Sequence, residues 1–207
     1  IDVEVSKMAA HVRNSGFKKL AVLYDSSNDV PTTGATLFRE QVTKDGGTIV
    51  FFEGVDSKTV SDFRTQLTSI KKAAPDALYV IIADKLAGVV VKQSKELALE
   101  MPILGWSSFN APEFFSGGGA ATDGVVITDQ PFSCDGTTLM KEYCGKYAAR
   151  FAGRQPTLYG AEAYDLLHAF SGVLKGRDTI TEAEKTLIRK SFTGRTYDGV
   201  NGPMPFD

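Results

Sequence analysis

The chain has 207 residues, of which 43% are hydrophobic, and carries a formal net charge of -2 at pH 7. A chain of this size can bury a sizeable core in one large or two small domains, and its near-neutral charge gives no electrostatic case for binding nucleic acid or an anionic membrane. No apolar run reaches the ~18 residues that a membrane span needs. No basic segment followed by an apolar one opens the chain, so we expect a signal peptide to be absent or already removed.

Apolar runs and helix-like spacings alternate along the first 129 residues. Short apolar or β-branched runs predict strands at 20–24, 48–52, 77–82, 102–104 and 125–128. Amphipathic spacing predicts helices between them, at 2–14, at 33–45 with Thr32 or Thr33 as the cap, from Val60 to Ile70, and from a cap at Asp84 to Leu97. Because strands and helices alternate strictly, we predict an α/β fold with a doubly wound parallel sheet and right-handed crossovers.

The pattern changes after residue 129. Three helices follow one another without a strand, at 137–151, at 157–174, and from the T-x-x-E capping box of Thr181 and Glu184 to about residue 191. Their apolar faces need a sheet or a partner that this part of the sequence does not provide. The tail 196–207 is rich in turn-forming residues and could add an edge strand.

The chain contains two cysteines, Cys134 and Cys144. On one straight helix they would lie ~15 Å apart, which is beyond the reach of a disulfide. A bridge requires Cys134 to fold back from a loop, so the simpler expectation is two unpaired, partly buried thiols. The cysteines therefore do not identify a compartment, and their spacing does not indicate a metal site.

None of the local signatures of catalysis is present: the sequence has no G-x-S-x-G, H-E-x-x-H, P-loop or C-x-x-C motif. The glycines at 117–119 precede a predicted strand, whereas a phosphate-binding loop follows a strand and opens a helix, so we interpret 117–121 as a flexible turn. His11 and His168 lie on predicted helices and are interpreted as structural. We therefore predict that the chain is not an enzyme and carries no metal or cofactor.

Polar loops follow three of the predicted strands, at 26–31, 83–85 and 106–110. In a doubly wound sheet the carboxyl ends of the parallel strands meet at one edge, where small ligands bind. Polar side chains beside aromatic ones are the usual composition of a small-molecule site. The candidate ligand-binding residues are Ser26, Asp29, Val30, Ala83, Asp84, Trp106 and Ser107.

Two of these candidates have alternative interpretations. Trp106 is the only tryptophan and lies between Gly105 and Ser107, and both a core position and an exposed, ligand-stacking position stay open for it. Asp84 is interpreted first as a helix cap, and capping does not exclude contact with a ligand.

Four segments, in one order along nearly the whole chain, carry a family resemblance. The chain resembles type I periplasmic solute-binding proteins, and more narrowly the branched-chain amino acid (Leu/Ile/Val-type) binding proteins of ABC transporters. The segments that carry the resemblance are KKLAVLYDSSNDVPTTGATLF, DFRTQLTSIKKAAPDALYVIIAD, PILGWSSFNAPEFFSGGGAATDGVVITD and PTLYGAEAYDLLHAF.

The resemblance implies two α/β lobes joined by three hinge strands, which close on a solute, and a first-lobe segment before the equivalent of Ile1. Residues 1–129 and 193–207 would form the second lobe, and residues 130–192 the helical part of the first. The partners implied are a small-molecule solute and the membrane permease of an ABC transporter. The implied location is periplasmic or extracellular, with a lipid anchor in a Gram-positive source. We also expect either self-association through the helices within 137–174 or a displaced position of these helices, because their apolar stripes would lack the first-lobe sheet.

Two positions depart from the family pattern. Val30 stands where the family often has an aromatic residue, and Ser107 where it commonly has an acidic residue that pairs with the ammonium group of the ligand. With only a hydroxyl at that position, the ammonium group of a bound ligand would lose a charge-assisted hydrogen bond worth about 1.5–3 kcal/mol. We therefore expect a small organic solute, either amino acid-like or a carboxylate or aromatic acid, rather than Leu, Ile or Val.

Two other functions are kept as alternatives. A ligand-sensing receptor or regulator domain of the same fold would bind a solute without transporting it. An α/β enzyme of flavodoxin-like architecture is disfavoured, because the phosphate loop and a catalytic constellation are missing from the sequence.

Overall fold

A computed structural model of the chain describes residues 1–130, 132–175 and 181–206, apart from the side chains of Asp84 and Ala183. Contacts divide the chain into two compact units, Ile1–Asp129 and Gln130–Asp207. Within the described residues, no helix combines the length and the apolar character that crossing a membrane requires.

The first unit alternates strands and helices as the sequence predicts. Its five strands are all parallel and lie in the order β2-β1-β3-β4-β5. This order confirms the predicted α/β class with a doubly wound parallel sheet. The elements are α1 (Asp2–Asn14), β1 (Lys19–Asp25), α2 (Asp29–Lys44), β2 (Thr48–Val55), α3 (Arg64–Ala73), β3 (Ala77–Ile81), α4 (Asp84–Glu96), β4 (Ile103–Gly105), α5 (Pro112–Gly118) and β5 (Val126–Ile127), with single 3₁₀ turns at Ser107–Phe109 and Gly119–Thr122.

The central strands are buried on both faces, because helices cover the sheet from either side. Every residue of β3 is buried, and so is the run from Leu20 to Leu23 in β1. On α1, the predicted apolar stripe packs into the same core through Val5, Met8, Ala9 and Val12. Each large aliphatic or aromatic side chain buried in this way stabilises the fold by about 1.5–3 kcal/mol.

The start of α2 differs from the prediction. The helix begins at Asp29, and its cap is Asn28, whose Oδ1 accepts a hydrogen bond from the backbone N–H of Val30 at 3.0 Å. The prediction that Thr32 or Thr33 caps this helix is therefore wrong. Pro31 fits into the first helical turn because the backbone nitrogens there have no partner within the helix, so a missing N–H costs nothing.

The glycine-rich segment also differs from the prediction. The interpretation of 117–121 as a flexible turn is wrong, because α5 runs through Gly117 and Gly118. A Cβ on Gly117 would collide with the carbonyl oxygen of Lys85, and one on Gly88 with that of Phe114. These glycines are therefore needed for the close packing of α4 against α5.

The second unit contains the three consecutive helices that the sequence predicts. Thr137 and Thr157 cap the first two through their hydroxyl oxygens, and Thr181 and Glu184 form the predicted capping box of the third. The tail forms an antiparallel hairpin of its own, so the expected edge strand pairs within the tail. The elements are α6 (Thr138–Arg150), α7 (Leu158–Leu174), α8 (Glu182–Phe192), β6 (Arg195–Gly199) and β7 (Gly202–Phe206).

The hairpin is attached to α7 through a buried carboxylate. Asp165 is 4% exposed, and its Oδ1 accepts a hydrogen bond from the backbone N–H of Val200 at 2.8 Å. A Cβ on Gly199 would collide with this carboxylate, so glycine permits the close approach of the hairpin. The assignment of the tail to a second lobe stays a prediction, since it concerns a larger protein.

The two cysteines form a disulfide, with their Cα atoms 5.8 Å apart. The expectation of two unpaired thiols is therefore wrong. Cys134 lies before α6 in a turn closed by the Gly136 N–H on the Ser133 carbonyl at 3.0 Å, and this turn leads the chain back toward Cys144. Cys134 is not on the helix that carries Cys144, so the separation of two residues on one straight helix does not apply to this pair.

Candidate functional site

The strand order places the three predicted loops beside one another. They follow the carboxyl ends of β1, β3 and β4, which are adjacent parallel strands, so the loops share one edge of the sheet. We call this edge, with the loops 26–31, 83–85 and 106–110, the carboxyl edge. The described side chains among the predicted residues are those of Ser26, Asp29, Val30, Ala83, Trp106 and Ser107.

A buried carboxylate at the end of β1 organises the first loop. Asp25 is 7% exposed; its Oδ1 accepts hydrogen bonds from the N–H and hydroxyl of Ser27 at 2.9 and 2.8 Å, and its Oδ2 accepts one from the Ser57 hydroxyl at 2.7 Å. Burial by itself raises the pKa of Asp25, but the hydrogen bonds from Ser57 and Ser27 outweigh it and hold this pKa below its ordinary value. The ionised carboxylate thus ties the loops after β1 and β2 together.

The predicted residues of the first loop are accessible. Ser26 is exposed, and its backbone N–H donates to the carbonyl of Val55 in β2 at 2.8 Å. Asp29 and Val30 form the exposed first turn of α2, and Val30 is 52% exposed. The first loop therefore offers a hydroxyl, a carboxylate and one apolar side chain, without an aromatic ring at Val30.

The second loop leads directly into α4. Ala83 occupies the cap position in an extended conformation and is partly exposed. The helix begins at Asp84, but the side chain of Asp84 lies outside the described part of the structure. Because Ala83 occupies the cap position, the prediction that Asp84 caps this helix is wrong, whereas its role as a ligand contact stays a prediction.

The indole of Trp106 belongs to the core of the first unit. It is 9% exposed, and its Nε1–H donates to the carbonyl oxygen of Ile82 at 3.3 Å. Of the two positions that the sequence allows for Trp106, the structure shows the core position. The side chain joins the ends of β3 and β4 instead of standing open for stacking.

Ser107 is held by a residue that the sequence analysis did not select. It is partly exposed, and its backbone N–H donates to Oε1 of Glu4 on α1 at 3.1 Å. Nearby, the side-chain amide of Asn110 donates to Asp129 at 2.6 Å, which connects the third loop to the end of β5. The polar loops are visible in the sequence by their position after strands, but no local pattern marks Glu4, which is 103 residues away from Ser107.

The geometry of the carboxyl edge suits binding through hydrogen bonds and charge. Within residues 1–130, 132–175 and 181–206, no group of three or more His, Cys, Asp or Glu side chains is placed to hold a metal ion. Of the two histidines, His11 lies in the C-terminal half of α1, and His168 lies on α7 in the second unit, where its ring centroid is 4.3 Å from that of Tyr164.

Several solved structures share this fold. The chain superimposes on a leucine binding protein LivK from Thermotoga maritima with a TM-score of 0.86 and 21% identity, over 100% of this chain and 58% of that one. LivJ from Streptococcus pneumoniae in complex with isoleucine gives a TM-score of 0.82 and 24% identity, over 99% and 57% of the two chains. A solute-binding protein of an ABC transporter from Rhodopseudomonas palustris, in complex with 3,4-dihydroxybenzoic acid, gives 0.79 and 23%, over 100% and 56%.

The chain thus spans less than 60% of the length of each of these structures. No curated protein matches it in sequence. A family model described as periplasmic binding protein matches residues 2–207, which is nearly the whole chain. The predicted family is confirmed, and the chain belongs to the periplasmic binding proteins.

Proposed function

We propose that the chain is part of the solute-binding component of an ABC importer, which binds a small organic solute at the carboxyl edge without transforming it. The observation that carries this proposal is the placement of three polar loops after adjacent parallel strands, in a member of the periplasmic binding protein family. This edge of a parallel sheet is where α/β proteins bind small ligands. The hydrogen-bonded carboxylate of Asp25 keeps the first loop in one conformation before the solute arrives.

In this proposal, the unit Ile1–Asp129 is a lobe of a two-lobed protein, and the helices within 130–192 belong to the other lobe. The family resemblance alone assigns the tail 193–207 to the same lobe as Ile1–Asp129. Solute contacts with both lobes would favour the closed state over the open one, and the membrane permease would bind the closed state.

The solute is expected to be small and organic, either amino acid-like or a carboxylate or aromatic acid. Two similar structures hold molecules of these two kinds, isoleucine and 3,4-dihydroxybenzoic acid. Val30 and Ser107 replace an aromatic and an acidic residue of the family pattern, and both are at least partly exposed at the carboxyl edge. These replacements favour a solute other than Leu, Ile or Val.

We further propose a location outside the cytoplasm, with lipid anchoring if the source is Gram-positive. The disulfide between Cys134 and Cys144 supports this location, because disulfides form and persist in oxidising compartments.

A solute screen tests the proposed function. The melting temperature of the protein is measured with amino acids and aromatic acids, including isoleucine and 3,4-dihydroxybenzoate, and with nucleotides as the control class. A solute at one hundred times its Kd stabilises the folded state by about 2.7 kcal/mol. Stabilisation by nucleotides alone, or chemical conversion of a bound solute detected by NMR, would contradict the proposal.

A further inference from the structure

Glu4 lies at the carboxyl edge although it belongs to α1. The first turn of α1 packs near the first half of α2, since a Cβ on Gly34 would lie 3.0 Å from Cδ1 of Ile1. The Glu4 carboxylate in the same turn accepts the hydrogen bond from the Ser107 N–H at 3.1 Å. The first turn of α1 therefore lies near α2 and also contacts the loop that follows β4.

The hydrogen bond from Ser107 has a local consequence. Ser107 opens the 3₁₀ turn Ser107–Phe109, and the first N–H groups of such a turn have no partner within it. Glu4 supplies the missing acceptor, while the Phe109 N–H donates to the Trp106 carbonyl at 3.0 Å inside the turn. The loop after β4 is thus fixed from α1 by Glu4 and from β3 by the indole of Trp106.

Glu4 also brings a negative charge to this edge. It is partly buried, and no cation forms an ion pair with it among the described residues. Tyr79 lies within the influence of this charge: its buried hydroxyl has no hydrogen-bond partner in the described structure, and its pKa is raised by burial and by the charge of Glu4. A partly buried charge without a counter-ion acts more strongly on its neighbours than a solvated one.

We propose that Glu4 is a positioning residue of the carboxyl edge, which orients Ser107 through its backbone N–H and disfavours anionic solutes beside it. This inference rests on the proposed function, because it assumes that solutes bind at this edge. Glu4, which belongs to α1, supplies the negative charge that Ser107 itself lacks. The carboxyl edge would then prefer a solute with a cationic group over a plain carboxylate or aromatic acid.

Three variants separate the two parts of this role. Glu4→Gln keeps an oxygen acceptor for the Ser107 N–H but removes the charge, and Glu4→Ala removes both. Asp2→Asn is the matched control, because Asp2 is the other acidic residue in the first turn of α1 and is exposed. Like the Glu4 variants, Asp2→Asn removes a favourable negative charge from the start of the helix. It leaves the hydrogen bond between Glu4 and Ser107 in place.

The first measurement is hydrogen exchange of the Ser107 amide by NMR, which needs no solute. We expect Glu4→Ala to speed this exchange about tenfold, the factor that corresponds to ~1.4 kcal/mol, while Glu4→Gln and Asp2→Asn stay near the wild type. Unchanged exchange in Glu4→Ala would overturn the proposal. Equal acceleration in all three variants would also overturn it, because the effect would then belong to the helix as a whole.

The second measurement is calorimetric binding of isoleucine and 3,4-dihydroxybenzoate. We expect Glu4→Gln to shift the ratio of the two affinities about fivefold to tenfold toward the anion, and Asp2→Asn to leave it unchanged. An unchanged ratio in Glu4→Gln overturns the charge preference. If the wild type binds neither probe, the proposed function fails for these solute classes, and the amide exchange alone decides whether Glu4 positions Ser107.

Discussion

The two units of the chain are stabilised in different ways. In Ile1–Asp129, helices cover both faces of a parallel sheet, and the buried cluster runs from α1 through β1, β2, β3 and β4 to Phe114. In Gln130–Asp207, the described buried cluster is small and consists of Met140, Tyr143, Cys144, Ala161 and Val200. The second unit adds a disulfide and the hydrogen bonds of Asp165 to this small core.

The difference shows what a sheet contributes to an α/β protein. The apolar stripe of α6 is partly buried within its own unit, through Met140 and Tyr143, but other apolar side chains of the unit are exposed. An apolar pocket of about 450 Å³ also opens between α7, α8 and β7, lined by Phe170, Ile188 and Phe192 among others. In this unit, three helices and a two-stranded hairpin leave several large apolar side chains exposed. The exposed ones are Leu139, Phe151, Tyr159, Leu166, Leu167 and Leu187.

The largest expected effect comes from the core of the first unit. Leu78 in β3 is fully buried, whereas Leu167 on α7 is 70% exposed. We expect Leu78→Ala to lower the free energy of unfolding by about 2–5 kcal/mol and Leu167→Ala to change it by less than about 0.5 kcal/mol. Chemical denaturation measures both, and equal losses in the two variants would refute the contrast between the units.

The disulfide should be the next largest contribution, confined to the second unit. Replacing both Cys134 and Cys144 by Ser removes a cross-link over ten positions, and we expect a loss of about 2–4 kcal/mol. Hydrogen exchange should accelerate in α6 and stay unchanged in β1 and β3. Reduction of the wild type is the control. Acceleration in β3 would show that the two units do not unfold separately.

The hydroxyl of Ser57 should stabilise the first unit in a pH-dependent way. Ser57→Ala removes one donor to Asp25, and we expect a loss of about 1.5–3 kcal/mol at neutral pH, as for other hydrogen bonds to charged groups. Because the pKa of Asp25 is lowered by folding, this stabilisation is present above the pKa of unfolded aspartate, about 3.9, and is lost as the pH falls through the folded value.

The pH dependence of unfolding measures this effect. The free energies of the wild type and Ser57→Ala should differ most above about pH 5 and converge in acid. A difference that is constant from pH 3 to pH 7 would show that the hydroxyl does not act through the charge of Asp25. Ser69→Ala is a suitable control, since the Ser69 hydroxyl donates to a backbone carbonyl within α3.

The smallest expected effect concerns self-association of the chain. The exposed side chains of Leu166 and Leu167 give α7 an apolar surface, and we expect Leu167→Gln to weaken association about tenfold, corresponding to ~1.4 kcal/mol. Light scattering over a range of concentrations measures this change, and Lys7→Gln on exposed α1 surface is the control. A wild-type chain that stays monomeric at all concentrations would contradict the expectation.

Local patterns in the sequence determined most of the architecture. The alternation of apolar runs with amphipathic spacings predicted five parallel strands and the helices α1 to α4, though not α5, and the T-x-x-E pattern predicted the capping box of α8. These features depend on residues a few positions apart, where backbone geometry sets the period. For the same reason, the predicted boundaries were wrong where a single cap decides them, as at Asn28 before α2.

Contacts between distant residues were decided only by the tertiary structure. The indole N–H of Trp106 donates to the carbonyl of Ile82, and the carboxylate of Glu4 accepts from the N–H of Ser107. The glycines of α5 are required because the backbone of α4 lies so close to them. Neither partner in such a contact carries a local signal of the other, because residues far apart in the sequence meet only through tertiary packing. The sequence could therefore predict which loops meet at the carboxyl edge, but not the charge that α1 brings to it.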